Sequence, residues 1–184
     1  MTAHLVRQAQ GGDQPAFEQL IRPAYDRLYA TAYRLTRDRF AAEDAVQDAI
    51  VRCWRDIRGL KDPERFEAWL HRLLVNSCAD HGRRVARRPI EIQSPPMESP
   101  ALVDEYAAVG EHDALERAFT QIPMAQRVAL VLTHYLGYSA PEVAEIVGIP
   151  VGTVYSRVHK GNLAMREALL PPTARRIAAT ELPQ

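Results

Sequence analysis

The sequence has few cysteines, no long apolar run and no excess of either charge. Its 184 residues include two cysteines, Cys53 and Cys78, too few for a disulfide framework. The longest apolar stretch, residues 128–132, is much shorter than the roughly 18 residues of a membrane-spanning helix. The opening MTAHLVRQAQGGDQPAF lacks the apolar core of a signal peptide. We therefore expect a reduced, cytoplasmic protein with no membrane insertion.

The balance of charge argues at first sight against a nucleic-acid binder, because acidic and basic residues number 23 each. The charges are unevenly distributed, however. Residues 1–88 hold 16 Lys and Arg against 12 Asp and Glu, whereas residues 89–110 hold four acidic residues, four prolines and no base. That composition is typical of an extended acidic linker. We therefore predict two domains, 1–88 and 111–170, followed by a short tail, 171–184.

The first domain has the apolar spacing of an all-helical unit. Asp13 followed by Pro15 indicates a helix start. A second helix is predicted from about 41 to 57 by five apolar residues spaced at i, i+3, i+4, i+7 and i+11 from Val46. A third helix follows the loop around Pro63 and ends in HGRRVARRP, which contains four arginines.

The second domain has the pattern of a helix-turn-helix. Ser139 and Glu142 have the spacing of a capping box, and residues 148–150 (GIP) form the turn before a last helix at about 153–169. Polar and basic side chains then follow the start of that last helix, which suits entry into a DNA major groove. A plain αα-hairpin with a solvated polar face is the alternative. No strand-period run of useful length appears, so we predict an all-α fold of two small domains joined by a Pro-rich acidic linker.

Several stretches resemble one family, the bacterial sigma factors of the extracytoplasmic-function (ECF) group. LTHYLGYSAPEVAEIVGIPVGTVYSRVHKGNLAMREAL is similar to the −35-reading half of these proteins, and IPMAQRVALVL resembles their "LP…QR" segment. AFEQLIRPAYDRLYATAYRLT, AEDAVQDAIVRCWRDI and FEAWLHRLLVNSCADHGRR resemble, in order, the helices of their promoter-melting domain. The resemblance implies a factor that binds RNA polymerase core and directs promoter recognition, DNA melting and transcription initiation, with no enzyme activity and no cofactor.

The resemblance also implies three sets of contact residues. The set for the polymerase core lies on the polar face of the helix matching 42–57: Asp44, Gln47, Asp48, Arg52 and Arg55. The set for the single-stranded −10 element is Lys61, Arg65, Arg72, Asn76, Asp80, Arg83, Arg84, Arg87 and Arg88. The set for the −35 duplex is Thr153, Tyr155, Ser156, Arg157 and Lys160. Two roles stay open, because Asp80 could orient a neighbouring arginine and Tyr155 could pack instead of touching DNA.

Other functions remain as alternatives. A stand-alone helix-turn-helix regulator would bind a palindromic operator as a dimer, without polymerase. A helical enzyme is disfavoured because no catalytic constellation appears. His71, Cys78 and His81 lie near one helical face, but a zinc site needs about four ligands and no fourth is evident, so we expect no metal. Because many members of the family are held inactive by an anti-sigma partner, such a partner is a further possibility.

Overall fold

The computed structural model describes residues 2–87 and 117–169, with side chains as far as Arg84 in the first range. The predicted linker, the tail and Arg88 lie outside these residues. Every regular element within the two ranges is helical, which confirms the predicted class. The first range contains α1 (Thr2–Gln10), α2 (Gln14–Ile21), α3 (Tyr25–Thr36), α4 (Arg39–Asp56) and α5 (Phe66–Arg87). The second contains α6 (117–121), α7 (Met124–Leu130), α8 (Ala140–Val147) and α9 (Val151–Leu169).

Aspartates begin two of the helices in the first domain. Asp13 accepts a hydrogen bond of 3.0 Å from the backbone N–H of Ala16 at the start of α2, as predicted. Asp38 accepts one of 2.8 Å from Ala41 at the start of α4. Each carboxylate satisfies an N–H that has no partner inside the helix. Arg37, with φ 61°, makes the sharp turn between α3 and α4.

Helices α3, α4 and α5 pack together to form the centre of the first domain. The predicted inner face of α4 is confirmed, because Val46, Ala49 and Cys53 are fully buried and Ile57 follows directly after the helix. Helix α1 was not predicted. Its buried residues Ala3, Val6 and Ala9 do follow helical spacing, but two of the three are alanines and contribute little apolar surface.

The second domain is the predicted helix-turn-helix. Glu142 accepts hydrogen bonds from the backbone N–H of Ser139 at 2.8 Å and from its hydroxyl at 2.6 Å, forming the capping box that begins α8. Gly148 ends α8 with φ 74°, a left-handed conformation that glycine adopts without steric cost. Helix α9 begins at Val151 and buries Val154 completely. A single π-helical turn, Val131–Tyr135, continues α7.

The two domains are packed against each other, with α8 on α5 and α7 on α3. Their buried apolar side chains belong to one continuous cluster. Arg127 of α7 lies at this junction and is 9% exposed. Its guanidinium donates to the carbonyl of Leu35 at the end of α3 at 2.7 Å and to Ile122 of its own domain at 2.9 Å. One buried cation therefore ties the two domains together.

None of the helices in the described ranges is both long and apolar enough to cross a lipid bilayer.

Candidate nucleic-acid interface

The outer face of α4 presents most of the residues predicted to bind the polymerase core. Asp44, Gln47 and Arg55 are exposed, and Asp48 is half-buried. Arg55 is paired with the adjacent Asp56 at 2.8 Å, on the solvent side. These groups form a polar surface of mixed charge, which favours an oriented contact with a partner of complementary charge.

Arg52, the fifth residue of that set, turns towards α5 instead. It donates to Asp80 Oδ2 at 3.0 Å, and Arg83 donates to Asp80 Oδ1 at 2.6 Å. Hydrogen bonds first from Arg52 and then from Arg83 hold the pKa of the Asp80 carboxyl below its ordinary value. Asp80 thus joins the predicted polymerase surface to the predicted −10 surface. Of the two roles left open for it, the geometry favours the orientation of neighbouring arginines.

The remaining −10 candidates follow the outer side of α5 and the loop before it. Lys61, Arg72, Asn76 and Arg84 are exposed. The backbone at residue 87 is helical, although its side chain is outside the described set. Successive cations along one helix can follow the phosphates of a single strand, and an amide can bond a base edge. Arg65 is also exposed, but its guanidinium is paired with Glu145 of α8 in the other domain.

The start of α9 presents the residues predicted to read the −35 duplex. Ser156 and Lys160 are exposed, Thr153 and Arg157 are half-buried, and Tyr155 is 63% exposed. Tyr155 therefore does not pack into its own domain. Backbone N–H groups and short polar side chains at a helix start can reach the edges of bases and the phosphates.

A cavity of about 770 Å³ lies between the domains, where α3, α4 and α5 face α7, α8 and α9. Its floor is apolar, with Leu35, Val75 and Val128 among the lining residues. Its polar wall includes Asn76 and Arg83 from the −10 set and Arg157 from the −35 set. The packed structure therefore brings together side chains that were predicted to contact two different promoter elements.

Two of the three residues considered for metal binding, His71 and Cys78, are buried on α5. His71 is 3% exposed, and its Nδ1 shares a hydrogen bond of 2.8 Å with the hydroxyl of Tyr138 in the second domain. Burial, with a smaller contribution from Arg27, lowers the pKa of His71 to about 4. Cys78 is buried, which raises its pKa to about 12 and leaves the thiol unreactive. The described residues contain no group of three or more side chains suited to a metal ion.

Sequence reasoning missed two residues of this region. Arg127 appeared only as the final letter of the "LP…QR" resemblance, and nothing local indicated that it reaches the other domain. Tyr138 stands just before the capping box, and no local pattern in the sequence indicates its contact with His71. The available signal was the imidazole of His71 on an otherwise apolar helix face. A buried ring nitrogen needs a hydrogen-bond partner, and that partner is Tyr138.

Comparisons with known proteins agree with this arrangement of two units. The Sigma-70 region 2 family matches residues 20–88, and the Sigma-70 region 4 family matches residues 112–165. SigM of Mycobacterium tuberculosis, an ECF RNA polymerase sigma factor, is 32% identical over 168 residues, covering 91% of this chain and 84% of SigM. SigE of Mycolicibacterium smegmatis is 34% identical over 171 residues, which cover 86% of this chain and 64% of SigE. The chain thus spans slightly less than two thirds of that longer relative.

Solved structures give the same result for the fold. CnrH, in complex with the cytosolic domain of CnrY, superposes with a TM-score of 0.68 at 27% identity, covering 91% of this chain and 96% of CnrH. RpoE of Bartonella quintana, in complex with the anti-sigma factor NepR, superposes with a TM-score of 0.65 at 24% identity, covering 83% of this chain and 96% of RpoE. A helical domain followed by this helix-turn-helix defines a sigma-70-type transcription factor. The chain belongs to the ECF RNA polymerase sigma factors.

Proposed function

We propose that this chain binds RNA polymerase core through the outer face of α4, holds the melted −10 strand along α5, and reads the −35 duplex with the start of α9. The succession of the α4–α5 unit and the capped helix-turn-helix in one chain carries this proposal. The protein acts by binding alone, as an initiation factor and not as an enzyme. It works in the cytoplasm with the polymerase.

Run-off transcription with purified polymerase core on genomic fragments tests this function. We expect defined start sites only when both core and this protein are present, with the start on one side of an asymmetric site. Binding to a palindromic site by the protein alone would favour a stand-alone regulator instead. The absence of any start site would contradict the sigma function.

The −10 assignment predicts that Arg83→Ala/Arg84→Ala weakens promoter opening and its dependence on salt. Each phosphate contact on a single strand contributes about 0.7 to the slope of log K against log salt, so two losses reduce that slope by up to about 1.4. Arg7→Ala/Arg22→Ala removes the same charge from exposed positions outside the predicted surface. An equal effect of both pairs would attribute the change to net charge and refute the assignment.

The −35 assignment predicts that Arg157→Ala reduces recruitment to promoters with a −35 element by about tenfold, because a good base contact contributes about 1–3 kcal/mol. Arg166→Ala, an exposed arginine further along α9, is the matched control. Core binding, measured by co-purification with polymerase, should be unchanged in both variants. Loss of core binding in Arg157→Ala alone would contradict a role confined to DNA.

The two structural relatives were solved with CnrY and with the anti-sigma factor NepR. We extend this property to the present chain as a proposal, so that an anti-sigma protein is a further partner beside polymerase and promoter DNA. Co-purification of this chain from its own cells, followed by mass spectrometry, tests for such a partner.

A further inference from the structure

The first helix of the chain supports the loop that precedes α5. This loop, residues 57–65, joins α4 to α5 and carries two of the residues predicted to bind the melted strand, Lys61 and Arg65. We name it the −10 loop. Helix α1 packs against both of its short 3₁₀ turns, Ile57–Gly59 and Pro63–Arg65. Although α1 carries none of the predicted contact residues, it lies directly behind a segment that does.

Gln10, the last residue of α1, bonds the −10 loop directly. Its side-chain Nε2 donates to the carbonyl of Ile57 at 3.1 Å and to the carbonyl of Leu60 at 2.8 Å. A glutamine amide carries two N–H donors, so one side chain can satisfy both carbonyls. Gln10 is half-buried, and its partners are 47 and 50 residues away in the chain. These bonds therefore exist only because the fold places the end of α1 beside the loop.

The turn that follows α1 touches the same loop at a second point. Gly12 has φ 95°, a backbone conformation that favours glycine. A Cβ added at Gly12 would lie 3.4 Å from Nη2 of Arg58, so the Arg58 side chain lies against this turn. The end of α1 and the turn after it thus hold the first half of the −10 loop together.

The bond from Gln10 to Leu60 fixes the backbone at the residue that is predicted to meet DNA. The Leu60 carbonyl belongs to the peptide bond that leads into Lys61, which is exposed. Because that peptide bond is planar and trans, an anchored carbonyl also fixes the direction of the Lys61 N–H. Gln10 therefore sets the orientation of the peptide unit from which the Lys61 side chain extends.

Order in this loop before binding favours capture of a single strand. A loop that is already held in its bound conformation loses less conformational entropy when its ligand binds. A lysine has a long and flexible side chain, so the backbone from which it extends decides which phosphates it can reach. Loss of the bonds from Gln10 would therefore weaken the contact made by Lys61 without removing any group that touches DNA.

We propose that Gln10 is a positioning residue for promoter opening, which holds the −10 loop so that Lys61 meets the melted strand. The proposal rests on the proposed function, because Lys61 belongs to the −10 set. Gln10 acts through the loop and makes no contact of its own with DNA or polymerase core.

Hydrogen exchange in the free protein tests the structural half of this proposal. Gln10→Met keeps a side chain of similar length and helix propensity but removes both donors. Gln8→Met makes the same change at an exposed position on α1 and is the matched control. Each hydrogen bond contributes roughly two- to tenfold to an equilibrium constant. We therefore expect the amides of residues 58–62 to exchange about three- to tenfold faster in Gln10→Met than in wild type and Gln8→Met.

Two results of the exchange experiment would overturn the positioning role. One is unchanged exchange of the −10 loop in Gln10→Met. The other is faster exchange spread equally over α3, α4 and α5, because that pattern would assign Gln10 to the general stability of the domain.

A double-mutant cycle tests the functional half. Open complexes formed with polymerase core are measured by permanganate reactivity of melted thymines, on a promoter that run-off transcription identifies. Gln10→Met should reduce opening about three- to tenfold, and Gln8→Met should leave it unchanged. In the Lys61→Ala background the same change at Gln10 should cost less than about twofold, because the side chain that it positions is absent. In the Arg157→Ala background, which alters the −35 set, it should keep its full effect.

The cycle separates positioning from a loss of stability, since a less stable domain would weaken opening by the same factor in both backgrounds. Equal effects of Gln10→Met in the Lys61→Ala and Arg157→Ala backgrounds would therefore overturn the proposal, and so would normal opening by Lys61→Ala alone. If wild type itself gave no start site, the proposed function would fail. If wild type is active and the two backgrounds respond alike, only the role of Gln10 fails.

Discussion

The buried imidazole of His71 predicts a loss of stability on mild acidification. Its pKa is lowered from 6.5 to about 4, chiefly by burial and next by the charge of Arg27, while a backbone hydrogen bond to Glu67 acts in the opposite direction. Between pH 6.5 and about pH 4, His71 is protonated in the unfolded chain but remains neutral in the folded chain. The free energy of unfolding therefore falls as the pH falls from about 6.5 towards 4, and it is fully retained above that window.

The size of this loss of stability follows from the pKa shift of His71. A difference of about 2.5 pKa units corresponds to about 3.4 kcal/mol over the whole window, at about 1.36 kcal/mol per unit. Between pH 7 and pH 5 the expected loss is about 2 kcal/mol. Asp80 does not interfere in this range, because its pKa is lowered from 3.8 and its contribution is lost only at more acidic pH.

Urea unfolding at the two pH values measures this loss. The two tryptophans of the chain, Trp54 and Trp69, both lie in the first domain with His71, so their fluorescence reports on its unfolding. His71→Gln keeps a hydrogen-bonding group opposite Tyr138 but does not titrate, and should lose the dependence between pH 7 and 5. His81→Gln on the same helix should retain it. Equal pH dependence in wild type and His71→Gln would refute the reasoning.

Further predictions concern stability. A Cβ added by Gly82→Ala meets no atom within 4 Å, so this change should stabilise the protein by about 0.5–1 kcal/mol. A Cβ added by Gly161→Ala lies 2.9 Å from the Leu130 side chain, so that change should destabilise the protein by about 1 kcal/mol. Thermal unfolding measures both, and the reverse order would contradict this packing. Arg127→Met leaves the carbonyls of Leu35 and Ile122 without this donor and should lower the free energy of unfolding by about 3 kcal/mol. Thermal unfolding followed by circular dichroism measures the loss, and an unchanged melting temperature would refute it. Asp38→Ala removes the N-cap of α4 and should lower the free energy of unfolding by about 1 kcal/mol, whereas Asp38→Asn keeps a capping oxygen and should lower it much less. Equal losses in the two variants would exclude this capping role.

Local signals in the sequence predicted the elements where the relevant physics is local. The carboxylate of Asp13 and the pair Ser139 and Glu142 cap helices using groups within three residues, so a short stretch of sequence suffices to identify them. The inner face of α4 could also be predicted, because the apolar residues of a helix that is buried on one side recur every three or four positions. The predicted contact sets remain predictions, although most of their described members lie on accessible faces of α4, α5 and α9.

The relation between the domains could not be predicted in this way. Arg52 is four residues from Asp48, a spacing that permits an ion pair on one helix, yet its guanidinium bonds Asp80 on another helix. Likewise, nothing near Arg65 in the sequence indicates Glu145 as its partner, 80 residues away. Such pairings depend on how whole helices pack, and many packings satisfy the same periodic pattern.

The sequence by itself therefore determined most of the helices, the caps at Asp13 and Ser139, the helix-turn-helix and the family, because each depends on interactions within a few residues or on the order of recognisable segments. Only the tertiary structure decided that residues predicted for the −10 and the −35 elements line one cavity, and that His71, Arg127 and Arg65 find their partners across the domain boundary. The physical reason is that a buried or paired polar group takes whichever partner the fold brings within about 3 Å, and separation along the chain carries no information about that distance.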